Sequence, residues 1–327
     1  MDPRPSTQAP EPNLRLLRRP RPLLVPVTAS SLCLFRLGEQ CNNKCPMCSN
    51  SGESAALYPP AVELLQRADF LASRGFRRVI LTGGEPTLHP AFWPVVERLQ
   101  QQKIAWDLNT NGRNFAALDM AARAMESGLE RAIVSLHSHR SQASQIMSGI
   151  GDRGHQEILA GIAQLRAAGC DVTINCVISK QNQGELCDFL AWCIREFGAD
   201  IKVKLCAPSH LGKGGQWSGI DLQYSDIQNE LRAALDLAEA QGWHLQFEAV
   251  PHCILGRHDL SNISRSGFGE THYLDDLSGD RVYSIGEIEA DLTVFAPVCS
   301  QCVARRSCAG VGCDYAERYG VAELQAL

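Results

Sequence analysis

The sequence predicts an α/β protein built on a parallel sheet, and two observations carry this prediction. Short apolar segments alternate with amphipathic segments of helical period between residues 31 and 250. Turn signals rich in Gly and Asn directly follow several of the apolar segments. Because parallel strands require right-handed crossovers, the alternation indicates either a doubly wound sheet or a barrel, with its site at the carboxyl ends of the strands.

The apolar segments define the predicted strands, and the amphipathic segments define the helices between them. We expect six strands, and a possible seventh, at residues 31–37, 78–81, 104–108, 131–136, 172–178, 201–205 and 244–248. Their composition is typical of strands that are buried on both faces. The predicted helices span residues 60–74, 91–102, 115–127, 155–168, 185–197 and 226–240. The first of them has Pro60 at its start and Gly75 after its end.

The points where this alternation begins and ends divide the chain into three predicted parts. Residues 1–30 are rich in Pro and Arg and lack any period, which predicts a disordered or extended arm. Residues 31–250 form the predicted core domain. Residues 251–327 lack the alternation, so we expect an irregular extension that is held by a metal centre.

Composition and charge narrow the class of protein. The chain has 327 residues, of which 45% are hydrophobic, and its formal net charge is −5. This balance does not indicate a nucleic-acid-binding protein. No segment has the length or apolarity of a membrane span or a signal peptide, so we expect a cytoplasmic protein. In a reducing compartment clustered cysteines are expected to bind metal rather than form disulfides, and seven of the 14 cysteines lie in residues 41–48 and 299–313. The cysteines on the predicted strands and helices are expected to be buried as small apolar side chains.

The first cysteine group contains three thiols within eight residues, Cys41, Cys45 and Cys48, directly after the first predicted strand. Thiolates suit iron–sulfur clusters and zinc. A closed site needs four ligands, so either a distant residue such as Cys33 completes a zinc site or one coordination position stays open for a substrate.

The spacing C-x3-C-x2-C, followed one β/α unit later by Gly83-Gly84-Glu85-Pro86, resembles the radical S-adenosylmethionine (SAM) superfamily. The resemblance implies a partial (β/α)6 TIM-like barrel. It also implies a [4Fe-4S] cluster on Cys41, Cys45 and Cys48, whose fourth iron binds the amino and carboxylate groups of SAM. The residue before the third Cys is usually aromatic in the family, and here it is Met47.

The resemblance further implies which residues surround the cofactor. GGEP contacts the methionyl amino group, Asn109-Thr110-Asn111-Gly112 resembles the family's TNG turn, and Ser135 lies near the ribose or carboxylate. The residues expected to bind cofactor are Met47, Gly83, Gly84, Glu85, Pro86, Asn109, Thr110, Ser135, Asn175, Val177 and Leu205. His137 and Cys206 are candidate catalytic residues; the alternatives are a loop histidine without a role and a buried thiol.

The second cysteine group, Cys299, Cys302, Cys308 and Cys313, resembles the auxiliary-cluster segments of the SPASM and twitch type. The resemblance implies one auxiliary [4Fe-4S] cluster with Cys299, Cys302 and Cys308 as ligands. The fourth ligand is either Cys253, which ties the start of the extension to its end, or Cys313. A zinc site is the alternative to the cluster.

The expected activity is reductive cleavage of SAM to a 5′-deoxyadenosyl radical, which abstracts hydrogen from a substrate. Auxiliary segments of this kind suggest a peptide or a protein-derived cofactor precursor as that substrate. Small-molecule biosynthesis is the alternative; a cluster-bearing sensor and an RNA-modifying enzyme are weaker options. The expected partner is an external one-electron reductant of the flavodoxin or ferredoxin type.

Overall fold

The computed structural model describes residues 27–28, 30–49, 59–209, 215–257, 271–274, 282–286, 292–308 and 310–327. The predicted arm at residues 1–30 falls almost wholly outside these ranges. Within the described residues, every helix is either too short or too polar to cross a membrane.

A nine-stranded sheet organises the chain. Its first seven strands are parallel and lie in sequence order, so each pairs with the next. They are β1 (Leu32–Arg36), β2 (Arg78–Thr82), β3 (Ala105–Thr110), β4 (Leu129–Ser135), β5 (Asp171–Val177), β6 (Lys202–Cys206) and β7 (His244–Glu248). All six predicted strands and the possible seventh are therefore present, and the sheet is open rather than closed into a barrel.

Helices follow these strands as crossovers. They are α1 (Ala61–Ser73), α2 (Phe92–Gln101), α3 (Leu118–Glu126), α4 (Ser141–Ser148), α5 (Asp152–Ala167), α6 (Leu186–Phe197) and α7 (Tyr224–Gln241). Local sequence explains their ends: at α7 the Asp226 carboxylate accepts a hydrogen bond from Gln223 N, and Gly242 ends the helix at φ 68°. The sequence does not predict helix α4, because its eight residues carry a weak apolar stripe.

The two faces of the sheet differ in polarity. On β5, Val172, Ile174 and Cys176 are buried in the main core under the helices. The alternate residues Thr173, Asn175 and Val177 are partly exposed on the concave face. The prediction of strands buried on both faces is therefore wrong for β5, whereas in β2 the consecutive residues Val79, Ile80 and Leu81 are all buried.

A buried carboxylate holds the amino-terminal end of the sheet. Asp107, 1% exposed, accepts hydrogen bonds from Arg78 Nε at 3.0 Å and from Arg131 Nη2 at 2.6 Å. The two guanidinium groups come from the neighbouring strands β2 and β4, so this network ties three strands together. The amino-terminal end of the sheet is therefore closed by this network, and the polar opening lies at the opposite, carboxyl edge.

The extension is more regular than the sequence predicts. Strand β8 (Thr271–Leu274) pairs in parallel with β1, and β9 (Val282–Ser284) pairs antiparallel with β8. It also contains α8 (His252–Leu255), β10 (Thr293–Val294), β11 (Val311–Gly312) and α9 (Cys313–Tyr319). The expectation of a wholly irregular extension is thus wrong, since part of it continues the core sheet beyond β1.

Candidate functional site

The loop after β1 carries the first three cysteines. Cys41 is exposed, whereas Cys45 and Cys48 are half-buried. Met47 is buried and packs with Met147 and Ile220 in a small apolar cluster that also contacts Cys45 and Val177. The Met47 side chain therefore packs against the loop that carries the three cysteines, and its contact with the cofactor stays a prediction.

The turn after β3 holds this loop from one side. The Asn111 side-chain amide donates to Asn42 Oδ1 at 2.6 Å and to Cys41 Sγ at 3.8 Å. Arg113 Nη1 donates to Asn42 O at 2.6 Å, and its Nε donates to Glu157 Oε2 at 2.8 Å. Asn111 and Arg113 are not among the predicted site residues, although Asn111 lies within the TNG turn.

The turn after β2 packs against the start of the same loop. Gly84 N donates to Gly38 O at 2.9 Å, and Glu85 N donates to Gln40 O at 2.7 Å. A Cβ on Gly84 would lie 2.3 Å from Gln40 O, so only glycine permits this approach. Gly83 has a similarly close neighbour in Gly38. The glycines are thus needed for contact between backbones, and their contact with SAM stays a prediction.

The carboxyl end of α4 supports the loop from a third side. Lys44 N donates to Ser148 O at 3.1 Å, and the Cys45 thiol lies 3.6 Å from the same oxygen. Gly149, at φ 59°, ends the helix directly beneath Lys44. The sequence does not predict this contact, because it does not predict α4. The Gly149-Ile150-Gly151 segment is the one sequence feature that marks the end of this helix.

Glu85 links the turns after β2 and β3. Its carboxylate is buried and accepts hydrogen bonds from Thr87 Oγ1 at 2.6 Å, Thr110 Oγ1 at 2.9 Å and Asn111 N at 2.7 Å. Burial raises the pKa of Glu85, while these hydrogen bonds lower it. Pro86, which starts a short 3-10 helix, is buried beside it. Glu85 and Thr110 therefore form a rigid support for the turn that contacts Cys41.

Several predicted cofactor contacts lie on the concave face. The predicted contacts Ser135 and Asn175 stand in register on β4 and β5, and Lys204, which the sequence does not predict as a contact, follows them on β6. Lys204 Nζ forms an ion pair with Glu248 Oε2 at 2.5 Å on β7. Leu205 points into the main core and is fully buried, which leaves only its backbone for a cofactor contact. Among the described residues, Asn109 Oδ1 is buried without a hydrogen-bond partner.

The two candidate catalytic residues are both buried. His137 Nδ1 accepts a hydrogen bond from Val177 N at 3.2 Å, so the neutral ring carries its proton on Nε2. Burial lowers the pKa of His137 to about 4. The Cys206 thiol donates to Asn175 Oδ1 at 3.1 Å, and burial raises its pKa well above the usual value. His137 is therefore a neutral hydrogen-bonding group at pH 7 rather than an imidazolium.

Two cysteines of the loop, Cys41 and Cys45, have a thiol pKa above the usual value. Burial raises the pKa of Cys45 to about 12, and the neighbouring Cys41 and Cys48 thiols raise it further. Although the Cys41 side chain reaches the surface, partial desolvation by its surroundings raises the pKa of its thiol, while hydrogen bonds from Asn43 and Asn111 lower it. Cys33, the alternative zinc ligand, is fully buried in the main core, and its thiol donates to Leu34 O. Cys33 is thus part of the packing of β1.

Four cysteines of the extension share one small cavity. Its lining includes Cys253, Cys299, Cys302 and Cys308 but not Cys313. Burial raises the pKa of Cys253, and the nearby Cys308 and Cys299 thiols raise it further. Backbone N–H groups also point at two sulfurs: Gly310 N lies 3.4 Å from Cys308 Sγ, and Leu327 N lies 3.4 Å from Cys302 Sγ.

These residues fit an iron–sulfur cluster in both places. All fourteen thiols are free, and soft thiolates with N–H donors beside them are the ligands that such clusters use. In the part of the chain that is described, no three His, Cys, Asp or Glu side chains form a group that could hold a single metal ion. Asn109 Oδ1 is a buried polar atom without a hydrogen-bond partner among the described residues, and its contact with SAM stays a prediction.

Known proteins resemble this chain mainly in its core. GTP 3′,8-cyclase from Streptomyces coelicolor is 30% identical over 210 residues, which are 62% of this chain and 60% of that protein. The mycofactocin maturase MftC from Mycobacterium ulcerans is 28% identical over 186 residues, which are 55% and 49% of the two chains. This chain thus spans about half to three fifths of the length of these relatives.

Solved structures share the fold. Streptococcus suis SuiB bound to its precursor peptide SuiA has a TM-score of 0.53 at 17% identity, over 66% of this chain and 47% of that chain. Native anSMEcpe with bound AdoMet and the Cp18Cys peptide has a TM-score of 0.53 at 16% identity, over 65% and 61%. Both agree with a partial TIM-like barrel.

The family model for the radical SAM superfamily matches residues 35–193. This range begins in β1 and ends in α6, so it contains the cysteine loop, the GGEP turn and the TNG turn. The cofactors expected from the sequence, a [4Fe-4S] cluster and SAM, are those of this family of enzymes. Over these residues, which are just under half of the chain, the sequence matches the radical SAM superfamily.

Proposed function

We propose that this chain cleaves SAM reductively and uses the resulting radical to abstract hydrogen from a peptide. Cys41, Cys45 and Cys48 would hold the [4Fe-4S] cluster. When bound, the reduced cluster supplies one electron to the sulfonium of SAM, which breaks a C–S bond and gives methionine and a 5′-deoxyadenosyl radical. The remaining protein groups bind, orient and shield the reactants.

The observation that carries the proposal is the convergence of three turns on the cysteine loop. The turns after β2 and β3 hold it at Gln40 and Asn42, and the end of α4 holds it at Lys44. A loop that merely connected β1 to α1 would not need three separate anchors. This support gives the three thiols defined positions at the carboxyl edge of the sheet, where the concave face opens.

The concave face supplies the groups that would orient SAM and the substrate. Ser135 and Asn175 present polar side chains there, and Asn109 Oδ1 has no partner within the described structure. Since His137 Nδ1 already accepts from Val177 N, its Nε2–H is the group left to donate to a bound molecule. Met47 and Met147 shield the cysteine loop from water on one side.

We propose a second cluster in the extension with Cys253, Cys299, Cys302 and Cys308 as ligands, since these four thiols line one cavity. Cys313 does not line it. A cluster with four thiolate ligands has no open iron. The substrate would therefore bind on the concave face rather than on this second cluster.

Anaerobic reconstitution tests both cluster assignments. We expect about eight irons per chain, because each cluster holds four, and 5′-deoxyadenosine when dithionite and SAM are added. The triple variant of Cys41, Cys45 and Cys48 to Ala should retain about four irons and form no 5′-deoxyadenosine. SAM cleavage by that variant would refute the proposed function, and an unchanged iron content would refute the assignment of the loop.

The proposal of a peptide substrate rests on the likeness to a maturase, MftC, and on the four-thiol cavity. A small polar compound is the second candidate, because relatives such as the Streptomyces coelicolor protein are named GTP 3′,8-cyclase. For either substrate we propose a flavodoxin-like or ferredoxin-like protein as the electron donor.

One assay separates the two substrates. The reconstituted chain would be given SAM and dithionite together with GTP, with any short peptide found to be encoded beside its gene, or with neither. A peptide that is changed in mass and stimulates 5′-deoxyadenosine formation supports the first candidate. Conversion of GTP without any effect of the peptide rejects it in favour of the second.

A further inference from the structure

The geometry points to Asn111 as a positioning residue that donates a hydrogen bond to the Cys41 thiolate and so raises the reduction potential of the cluster on the loop. This inference rests on the proposed function, because it requires a cluster on Cys41. It gives a role to the buried Asn111 amide, which is not among the predicted cofactor contacts.

The orientation of the Asn111 amide follows from its surroundings. Asn111 is 7% exposed, and its backbone N donates to the Glu85 carboxylate at 2.7 Å. Its Oδ1 accepts a hydrogen bond from Arg113 N at 3.0 Å. Because a backbone N–H can only donate, the atom facing it must be the amide oxygen. The NH2 group therefore points at the cysteine loop.

This NH2 group has two acceptors on the loop. One is Asn42 Oδ1 at 2.6 Å, and the other is Cys41 Sγ at 3.8 Å. An amide NH2 group carries two hydrogens, so it can serve both acceptors at once. The backbone N of Asn43 lies 3.4 Å from the same sulfur. Two N–H donors thus converge on Cys41.

The consequence for the cluster is electrostatic. Reduction adds negative charge that is shared by the iron atoms and their sulfur ligands. A hydrogen bond to a ligand sulfur stabilises that charge and raises the reduction potential. The backbone N–H of Asn43 cannot be removed by substitution, but the Asn111 amide can, so its contribution can be measured by itself.

Loss of the Asn111 side chain should leave the loop in place. Arg113 Nη1 still donates to Asn42 O, and Lys44 N still donates to Ser148 O. A purely structural role for Asn111 would therefore change stability without changing the potential of a cluster that is still bound. This difference makes the reduction potential the decisive measurement.

The test is a potentiometric titration, followed by electron paramagnetic resonance, of reconstituted protein without SAM. The N111A variant removes the donor without adding charge. We expect its equilibrium constant for one-electron reduction to fall about tenfold, which lowers the midpoint potential by about 59 mV. The matched control is N114A, because Asn114 lies three residues away and its Nδ2 donates to Thr87 Oγ1 instead of to the loop.

A second variant keeps the inference testable if N111A folds poorly. In N111D the side-chain oxygen can still accept from Arg113 N, but the donor to Cys41 is lost, so the potential should fall at least as far. A midpoint potential equal to that of the wild type in both variants overturns the inference while leaving SAM cleavage intact. A wild-type chain that takes up no cluster on the loop would instead refute the proposed function.

Discussion

Replacement of Gly149 by Ala tests whether the end of α4 positions the cysteine loop. Gly149 lies at φ 59°, a backbone conformation that disfavours any side chain. A Cβ at this position would also lie 2.1 Å from Lys44 O, and real Cβ atoms essentially never come within 3.0 Å of another heavy atom. The loop between Cys41 and Cys45 would therefore have to move by roughly 1 Å.

The expected cost has two parts. The left-handed conformation costs alanine about 1–2 kcal/mol. Displacement of a well-packed neighbour adds about 1–3 kcal/mol. Gly242 provides a matched control, since it ends α7 at φ 68° but a Cβ on it would meet open space, with no heavy atom from elsewhere in the described chain within 4 Å. The free energy of unfolding of G242A should therefore fall only by the cost of the left-handed conformation. That of G149A should fall by both costs.

The assays are the free energy of unfolding in urea and the iron content after anaerobic reconstitution. We expect G149A to be less stable than G242A and to lose the iron of the loop, while G242A keeps a wild-type iron content. Equal destabilisation and equal iron content in the two variants would refute the idea that α4 positions the loop.

Two further predictions concern the extension and His137. C302A and C308A should each remove the second cluster and about four irons, whereas C313A should keep it, because Cys313 does not line the cavity; iron loss in C313A would contradict the ligand assignment. Burial lowers the pKa of His137 from 6.5 to about 4, so the unfolded chain binds an extra proton between these values. The titration of His137 should therefore lower the free energy of unfolding by roughly 3 kcal/mol between pH 6.5 and 4. When unfolding in urea is measured across this range, the free energy of unfolding of H137N should fall by that much less than that of the wild type.

The order of strands can be predicted because it depends on local signals. Each apolar segment from β1 to β7 is marked by its own sequence, and parallel pairing with helical crossovers follows from their alternation. The polarity of the concave face is partly visible in Thr173, Asn175 and Lys204. The sequence nevertheless favours burial on both faces, because the alternate residues Val172 and Ile174 are strongly apolar.

The features that the sequence does not reveal depend on distant contacts. Strand β8 lies more than 230 residues after β1, yet the two strands pair at Leu32 and Thr271. Cys253 lies on the short helix α8, and only the fold brings it to the cavity of Cys299 and Cys308. No local period distinguishes such pairings, so the sequence leaves both the regularity of the extension and the fourth ligand open.

The geometry of the cysteine loop depends on contacts with distant parts of the chain. Among the described residues 37–49, the loop makes few hydrogen bonds within itself, such as Cys48 N to Cys45 O at 3.2 Å. Its other anchors come from the GGEP turn, the TNG turn and α4, which are separated from it by about 40 to 110 residues. Because an unfolded chain cannot hold the three thiols together, uptake of a cluster would stabilise the folded state over the unfolded one. The same contacts that shape the site would thus couple cofactor binding to the stability of the core.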